Sequence, residues 1–337
     1  MTRDDWVLLV PMRMEARALR RGLPSGAPLR RTGRGLVRAG RAADRHSGAG
    51  ALAVAGIAGG LTSALRPGDV VVATEVRRAD RPDAPAVPCP AAPMVAAALR
   101  RRGLTAHLGP VVTSRRLVDG PVRARLAATG ALAADTESAA LLGRAAGRPV
   151  ICVRVVADVP PQRLYRPLTW RRVRAALRVL PEVAPVLVEW AAATTADDVV
   201  LAAPRSCRAG AAGAVGTAER APVRPGPSAG VHRPRGIAAA DVVLVLGPAH
   251  SPTSRRLVEV AERGGTPAYL VDDVDAVDLR WLAGVRTIGV AAGTAAPPRL
   301  VDETVAALAG LGAGAVRGPT TWSGDVYVTH PEEVRTP

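Results

Sequence analysis

The sequence predicts an α/β protein with a mainly parallel sheet, divided into two domains, and three observations carry that prediction. Through the first 195 residues, short runs of Val, Ala and Leu alternate with longer segments of helical spacing, as in sheets whose strands are joined by helices. The same alternation resumes further along as a second, shorter α/β segment. The 337 residues also suit two domains at roughly 150 residues each.

The elements follow in order. Trp6-Val7-Leu8-Leu9-Val10 is an apolar run stopped by Pro11, which cannot donate to a sheet ladder, and it predicts a first strand. Further strands are expected over 51–56, 69–74, 109–112 and 150–157, with helices over 14–21, 91–102, 137–146 and 170–193. The second segment opens on Asp198-Val199-Val200-Leu201 and continues with strands over 241–247, 267–271 and 287–290. Residues 221–236 are dense in Pro, Arg and Gly and read as a flexible connector. The expected domains are therefore 1–195 and 196–318, followed by a tail over 319–337 with little periodicity.

Composition narrows the function classes. The net charge is +16, every basic residue is Arg, and there is no Phe and no Lys. Such usage spreads guanidinium across solvated faces. With only 2% aromatic residues, the stacking platforms of a single-strand nucleic-acid binder are missing, so no nucleic-acid partner is expected. No stretch approaches the roughly 20 apolar residues of a membrane span. The acidic start Met1-Thr2-Arg3-Asp4-Asp5 does not suit a signal peptide. A cytoplasmic protein is expected, with peripheral contact to an anionic inner membrane face. Cys89, Cys152 and Cys207 are too far apart for CxxC spacing, and neither a metal site nor a cofactor is expected. His232 and His250 have no clustered partners and read as loop residues.

Ligands of parallel α/β sheets collect at the C-terminal ends of strands, and three acids occupy such positions. Glu15 follows the first strand at the start of a helix. Glu137 opens a helix within Asp135-Thr136-Glu137-Ser138-Ala139. Asp158 ends the most apolar strand, Val153-Arg154-Val155-Val156-Ala157-Asp158. Each alone suits a helix cap or a first helical turn.

Together with Ala55-Gly56-Ile57-Ala58-Gly59-Gly60-Leu61 and Pro67-Gly68-Asp69, these acids resemble the purine nucleoside phosphorylase superfamily, in its branch of methylthioadenosine/S-adenosylhomocysteine nucleosidases. The resemblance implies a three-layer αβα fold. It also implies that Asp158 is the general acid protonating the purine at N7, that Glu15 positions the attacking water, and that Glu137, with Thr136, holds the ribose hydroxyls. Gly59 and Gly60 would admit ribose or nucleophile close to the backbone, and Leu117 and Val118 would contact the base. The branch usually has Met where Thr136 stands and a stacking Phe where Leu117 stands. The early Glu favours water over phosphate as nucleophile. Within the branch, Thr129-Gly130-Ala131-Leu132-Ala133-Ala134-Asp135-Thr136-Glu137-Ser138 resembles the nucleosidases of hopanoid biosynthesis, which act on adenosylhopane.

The second segment resembles 4-hydroxy-3-methylbut-2-enyl diphosphate reductase, through Leu201-Ala202-Ala203-Pro204-Arg205-Ser206-Cys207 and, more fully, Val245-Leu246-Gly247-Pro248-Ala249-His250-Ser251-Pro252-Thr253-Ser254. That family ligates an iron–sulfur cluster with three cysteines, and Cys207 alone has a counterpart here, a relic that cannot hold the cluster. Reductase activity is therefore not expected. The resulting expectation is an adenine-releasing nucleosidase, a homodimer acting on a small or lipid-linked nucleoside. The alternatives are a non-catalytic nucleoside- or polyprenyl-binding protein and a residual reductase-related role for the second segment.

Overall fold

The computed structural model describes residues 6–145, 147–160, 167–194, 198–202, 240–293, 295–313, 315–317, 321–323 and 326–328. The connector 221–236, Cys207, His232 and most of the tail lie outside these residues.

By internal contacts the chain forms two compact units. The first holds residues 1–199, 273–286 and 302–316, and the second holds 200–272, 287–301 and 317–337. The expected boundary at 195 falls close to the end of the first stretch. Segments 273–286 and 302–316, expected in the second module, cluster with the first. Arg101 contributes to this, donating to the carbonyls of Asp275 at 3.1 Å and Val277 at 3.2 Å.

The first unit is built on strands β1 (Trp6–Val10), β2 (Leu29–Arg31), β3 (Ala51–Gly60), β4 (Val70–Arg78), β5 (Val87–Pro88), β6 (Ala106–Thr113), β7 (Ala133–Asp135) and β8 (Val150–Asp158). Its helices are α1 (Arg13–Leu19), α2 (Leu36–Arg45), α3 (Ala92–Arg101), α4 (Gly120–Ala127), α5 (Ser138–Leu142) and α6 (Pro167–Ala193). Strands β1, β3 and β8 run parallel side by side, and β4 pairs in parallel with β6. The sheet is mainly parallel, with antiparallel pairs at β3–β7, β4–β5 and β4–β8.

These pairings close a ring. From β3 the ladder passes to β8, then β4, β6 and β7, and returns to β3. Two register shifts accompany the closure, at Ala58/Gly59 on β3 and at Ala73/Val76 on β4, where an extra residue bends a strand and re-aims its side chains. All nine residues of β8 are buried, which is why its sequence is nearly continuous Val, Ile and Ala.

Helix α6 packs against β8 and β3, and α3 against β4 and β6. Its interior Pro181 and Pro185 do not end α6, because Ala176, Leu180, Val183, Ala184, Leu187 and Trp190 are all buried against the sheet side. Pro185 lacks the N–H that would bond the carbonyl of Pro181. That carbonyl instead lies against Gly22, where any Cβ would collide with it.

The remaining strands and α-helices are β9 (Asp198–Ala202), β10 (Val242–Leu246), α7 (Pro252–Arg263), β11 (Ala268–Val271), β12 (Thr287–Ala292), α8 (Pro298–Ala309), β13 (Ala315–Arg317), β14 (Thr321–Ser323) and β15 (Val326–Val328). Strand order in the second sheet is β11-β10-β12-β9-β13, with β10 parallel to both neighbours. Val243, Val245, Ala261, Ala268 and Ala291 form a core under α7, whose start is capped by Ser251 with Pro252 in the first turn.

Candidate active site

Glu15 is placed by the local chemistry of a helix start. It is the third residue of α1, and its Oε2 accepts from the backbone N–H of Met12 at 2.8 Å, the reciprocal half of a capping arrangement. Its Oε1 accepts from Ile57 N on β3 at 2.8 Å. With 1% exposure, desolvation dominates and pushes the carboxyl up to about 7, against the pull of the Arg154 guanidinium and these two backbone donors.

Glu137 caps α5. Its Oε1 accepts from Gly35 N at 2.8 Å and from the Thr136 hydroxyl. Gly35 has a φ of +87°, which favours glycine, so the turn before α2 is shaped to reach this carboxylate. Behind Glu137, Asp135 accepts from Thr113 Oγ1 at 2.7 Å and from the Ser138 hydroxyl. It also pairs with the fully buried Arg154.

Asp158 ends β8. Its Oδ2 lies 2.8 Å from Nη1 of Arg123, and its backbone carbonyl accepts from the same guanidinium at 2.9 Å. Arg123, on α4, is itself 3% exposed and donates through Nε to the carbonyl of Gly60 at 2.8 Å. Burial raises the Asp158 carboxyl above the ordinary Asp range, while Arg123 opposes that shift by charge and by hydrogen bond.

These groups surround one cavity of about 410 Å³. Among the residues expected from the sequence, Glu15, Gly59, Leu117, Thr136, Glu137 and Asp158 line it. Gly60 and Val118 do not. A Cβ on Gly60 would meet the side chains of Val156 and Val159, and Val118 is packed with Leu61, Val112, Ala131 and Ala134. Gly60 serves the site through its carbonyl instead. At Gly59, a Cβ would lie 3.3 Å from Asp158 Oδ1, so the missing side chain leaves room for that carboxylate.

The sequence reading missed Arg123, Arg154, Arg34 and Trp170. Arg34 and Trp170 line the cavity, with Trp170 62% exposed at its rim beside the 51% exposed Leu117. Arg154 was legible as the one charge inside an otherwise apolar strand. Its Nη1 is buried without a hydrogen-bond partner among the described residues. It faces the same point as Glu15, since a Cβ on Gly56 would lie 2.5 Å from Glu15 Oε1 and 2.7 Å from Arg154 Nη1. Cys89 and Cys152 are buried free thiols pushed above their ordinary range by desolvation, which keeps them inert.

Comparison with known proteins places each part of this chain. Residues 28–186 match the family model of the Phosphorylase superfamily, and residues 233–309 match that of LytB protein. The chain thus joins a phosphorylase-superfamily domain to a LytB-like segment.

The LytB-like part is 59% identical over 70 residues to 4-hydroxy-3-methylbut-2-enyl diphosphate reductase 2 of Mycobacterium bovis, covering 21% of each chain. It is 51% identical over 77 residues to the Bordetella pertussis reductase, covering 23% of this chain and 24% of that one. The chain therefore spans about a fifth to a quarter of the length of these curated relatives. Among solved structures, the S-adenosylhomocysteine nucleosidase from Streptococcus pyogenes, in complex with 5-methylthiotubericidin, is 21% identical with a TM-score of 0.47, over 56% of this chain and 96% of that one. The 5′-methylthioadenosine/S-adenosylhomocysteine nucleosidase from Neisseria meningitidis, in complex with methylthio-immucillin-A, is 21% identical with a TM-score of 0.46, over 55% and 99%.

Proposed function

We propose that the phosphorylase-superfamily domain is a nucleosidase that cleaves the N-glycosidic bond of a 5′-substituted adenosine and releases adenine. One observation carries the reading: Glu15, Glu137 and Asp158, distant in sequence, line a single cavity with Arg34. The chemistry requires a proton for the departing purine, stabilisation of an oxocarbenium-like sugar, and a positioned nucleophile. Asp158, raised by burial, donates its proton to N7 as the bond to C1′ breaks and the electron pair leaves with adenine. Water adds to C1′ and passes a proton to Glu15, whose carboxyl near 7 suits an acceptor at neutral pH. Glu137 takes the ribose hydroxyls with the oxygen that Gly35 and Thr136 leave open.

The 5′ substituent is read as apolar, and adenosylhopane as the substrate. Leu117, Trp170, Met12, Met14 and Val173 form the non-polar lining, and the LytB-like segment is matched by enzymes of isoprenoid diphosphates. Reductase chemistry is not part of the proposal, since the matched region is a fifth of those enzymes.

A second reading, nucleoside binding without turnover, is favoured by the Arg123–Asp158 pair, because a guanidinium favours the ionised carboxyl. Adenine release from methylthioadenosine, S-adenosylhomocysteine and adenosylhopane separates the two, with Asp158→Asn as control. Tight binding of an adenosine analogue without adenine release from any of the three would leave the second reading standing. A strict need for inorganic phosphate would replace water as nucleophile.

A further inference from the structure

We propose that the basin between α1 and α6 is a docking surface for an anionic lipid bilayer, which sets the mouth of the nucleoside cavity against the membrane. Five guanidiniums line a concavity of about 490 Å³: Arg13, Arg17 and Arg21 from α1 and the turn after it, and Arg174 and Arg178 from α6. The spacing of four residues within each group puts its members on one helix face. All five are exposed, and among the described residues none has a hydrogen-bond or ion-pair partner for its side chain.

Segments 13–21 and 170–178 together hold eight Arg and a single acid. That acid, Glu15, is buried and turned into the nucleoside cavity. Some surface arginines of the first unit stand beside acids, as Arg78 beside Asp80, Arg102 beside Glu189 and Arg144 beside Asp44. The five here converge on one concavity without an ion-pair partner among the described residues.

The basin adjoins the cavity. Met14 lines both, and Trp170 and Val173 line the cavity one turn before Arg174 and Arg178 line the basin. Long exposed guanidiniums on an open concavity attract a charged surface rather than enclose one phosphate. The exposed indole of Trp170 beside them is the side chain that settles at a membrane interface. Duplex nucleic acid offers the same phosphates but no apolar layer for that indole and the Leu117 rim. The proposal deepens the lipid-linked reading above and rests on it for its purpose. Vesicle binding is measured without turnover, so either can fail alone.

The test is co-sedimentation of the full chain with phosphatidylcholine vesicles, with and without phosphatidylglycerol. Binding is expected only with phosphatidylglycerol and should weaken as salt rises. The variant R17Q/R178Q should weaken it roughly 5-fold per arginine removed. R41Q/R45Q, which removes equal charge from α2, should leave it near wild type, and W170A should weaken it further. Binding that ignores phosphatidylglycerol, equal losses in the two double variants, or a loss of duplex DNA binding in R17Q/R178Q with vesicle binding intact would each overturn the proposal. Vesicle binding without adenine release would sink the nucleosidase reading and leave this one standing.

Discussion

Arg123 holds Asp158 at two points, its carboxylate at 2.8 Å and its backbone carbonyl at 2.9 Å. Both residues are almost fully buried, so removing one charge leaves the other uncompensated. Arg123→Met should destabilise the fold by about 3–5 kcal/mol at neutral pH. Without the guanidinium, the Asp158 carboxyl rises further above its unfolded value. The folded state then binds the extra proton, and stability is lost as pH rises through that higher value. The deficit relative to wild type, measured by urea unfolding, should be larger at pH 8 than at pH 4.5, and a pH-independent deficit would contradict the pairing.

For Glu15 the same linkage applies with a stated window. The folded carboxyl is raised from 4.5 to about 7, so Glu15 favours the fold below pH 4.5 and progressively ceases to as pH climbs to about 7. The whole effect is at most roughly 3 kcal/mol, at 1.36 kcal/mol per unit. Glu15→Gln should remove that pH dependence, gaining on wild type between pH 4.5 and 7. Its kcat for adenine release should fall at least 100-fold, and the variant should lack the acid limb near 7 expected in the wild-type profile.

Gly56 is a narrow test of the pocket between Glu15 and Arg154. Gly56→Ala would place a methyl group 2.5 Å from Glu15 Oε1 and 2.7 Å from Arg154 Nη1. Overpacking of this kind costs about 1–3 kcal/mol. A tenfold or greater drop in kcat is expected with little change in KM, since the displaced carboxylate serves the reacting water. A fully active Gly56→Ala would place the water elsewhere.

If Glu137 holds the ribose hydroxyls, wild type should discriminate against a 2′-deoxy substrate, and Glu137→Ala should narrow the difference by at least tenfold in kcat/KM. Gly35, which shares that carboxylate, should become more protease-sensitive in its turn in the same variant. Unchanged discrimination would assign the hydroxyls to another group.

Trp170→Ala should raise KM for adenosines with long alkyl 5′ substituents more than for methylthioadenosine. Truncating a large aromatic forfeits apolar contact that only a long substituent reaches. Equal effects on both would remove the apolar rim from the specificity argument.

The three acids were legible in the sequence because each sits where an apolar run gives way to a helix or ends. Two of the residues named from the motifs, Gly60 and Val118, do not line the cavity. Gly59 and Gly60 are neighbours on β3, where successive positions face opposite ways, and Val118 packs with Leu61 and Ala131 while its neighbour Leu117 lines the cavity. A motif names both, while the fold turns one to the cavity and the other to the core. Arg123 was hidden by composition, since in an Arg-only chain a single Arg carries little signal, and its partners depend on register and on the position of α4. Strands β2 and β7, three residues each, are too short to show a period.

The ring of strands has a consequence for synthesis. It is closed by β8, roughly ninety residues after β3 in the chain, and β8 carries Asp158 at its end. Contacts so separated form late, because the intervening loop must first be closed. On the ribosome, β3, β4, β6 and β7 emerge before their last neighbour. The acid proposed for catalysis therefore arrives with the strand that seals the barrel, and a nascent chain acquires its chemistry and its closed sheet in one step.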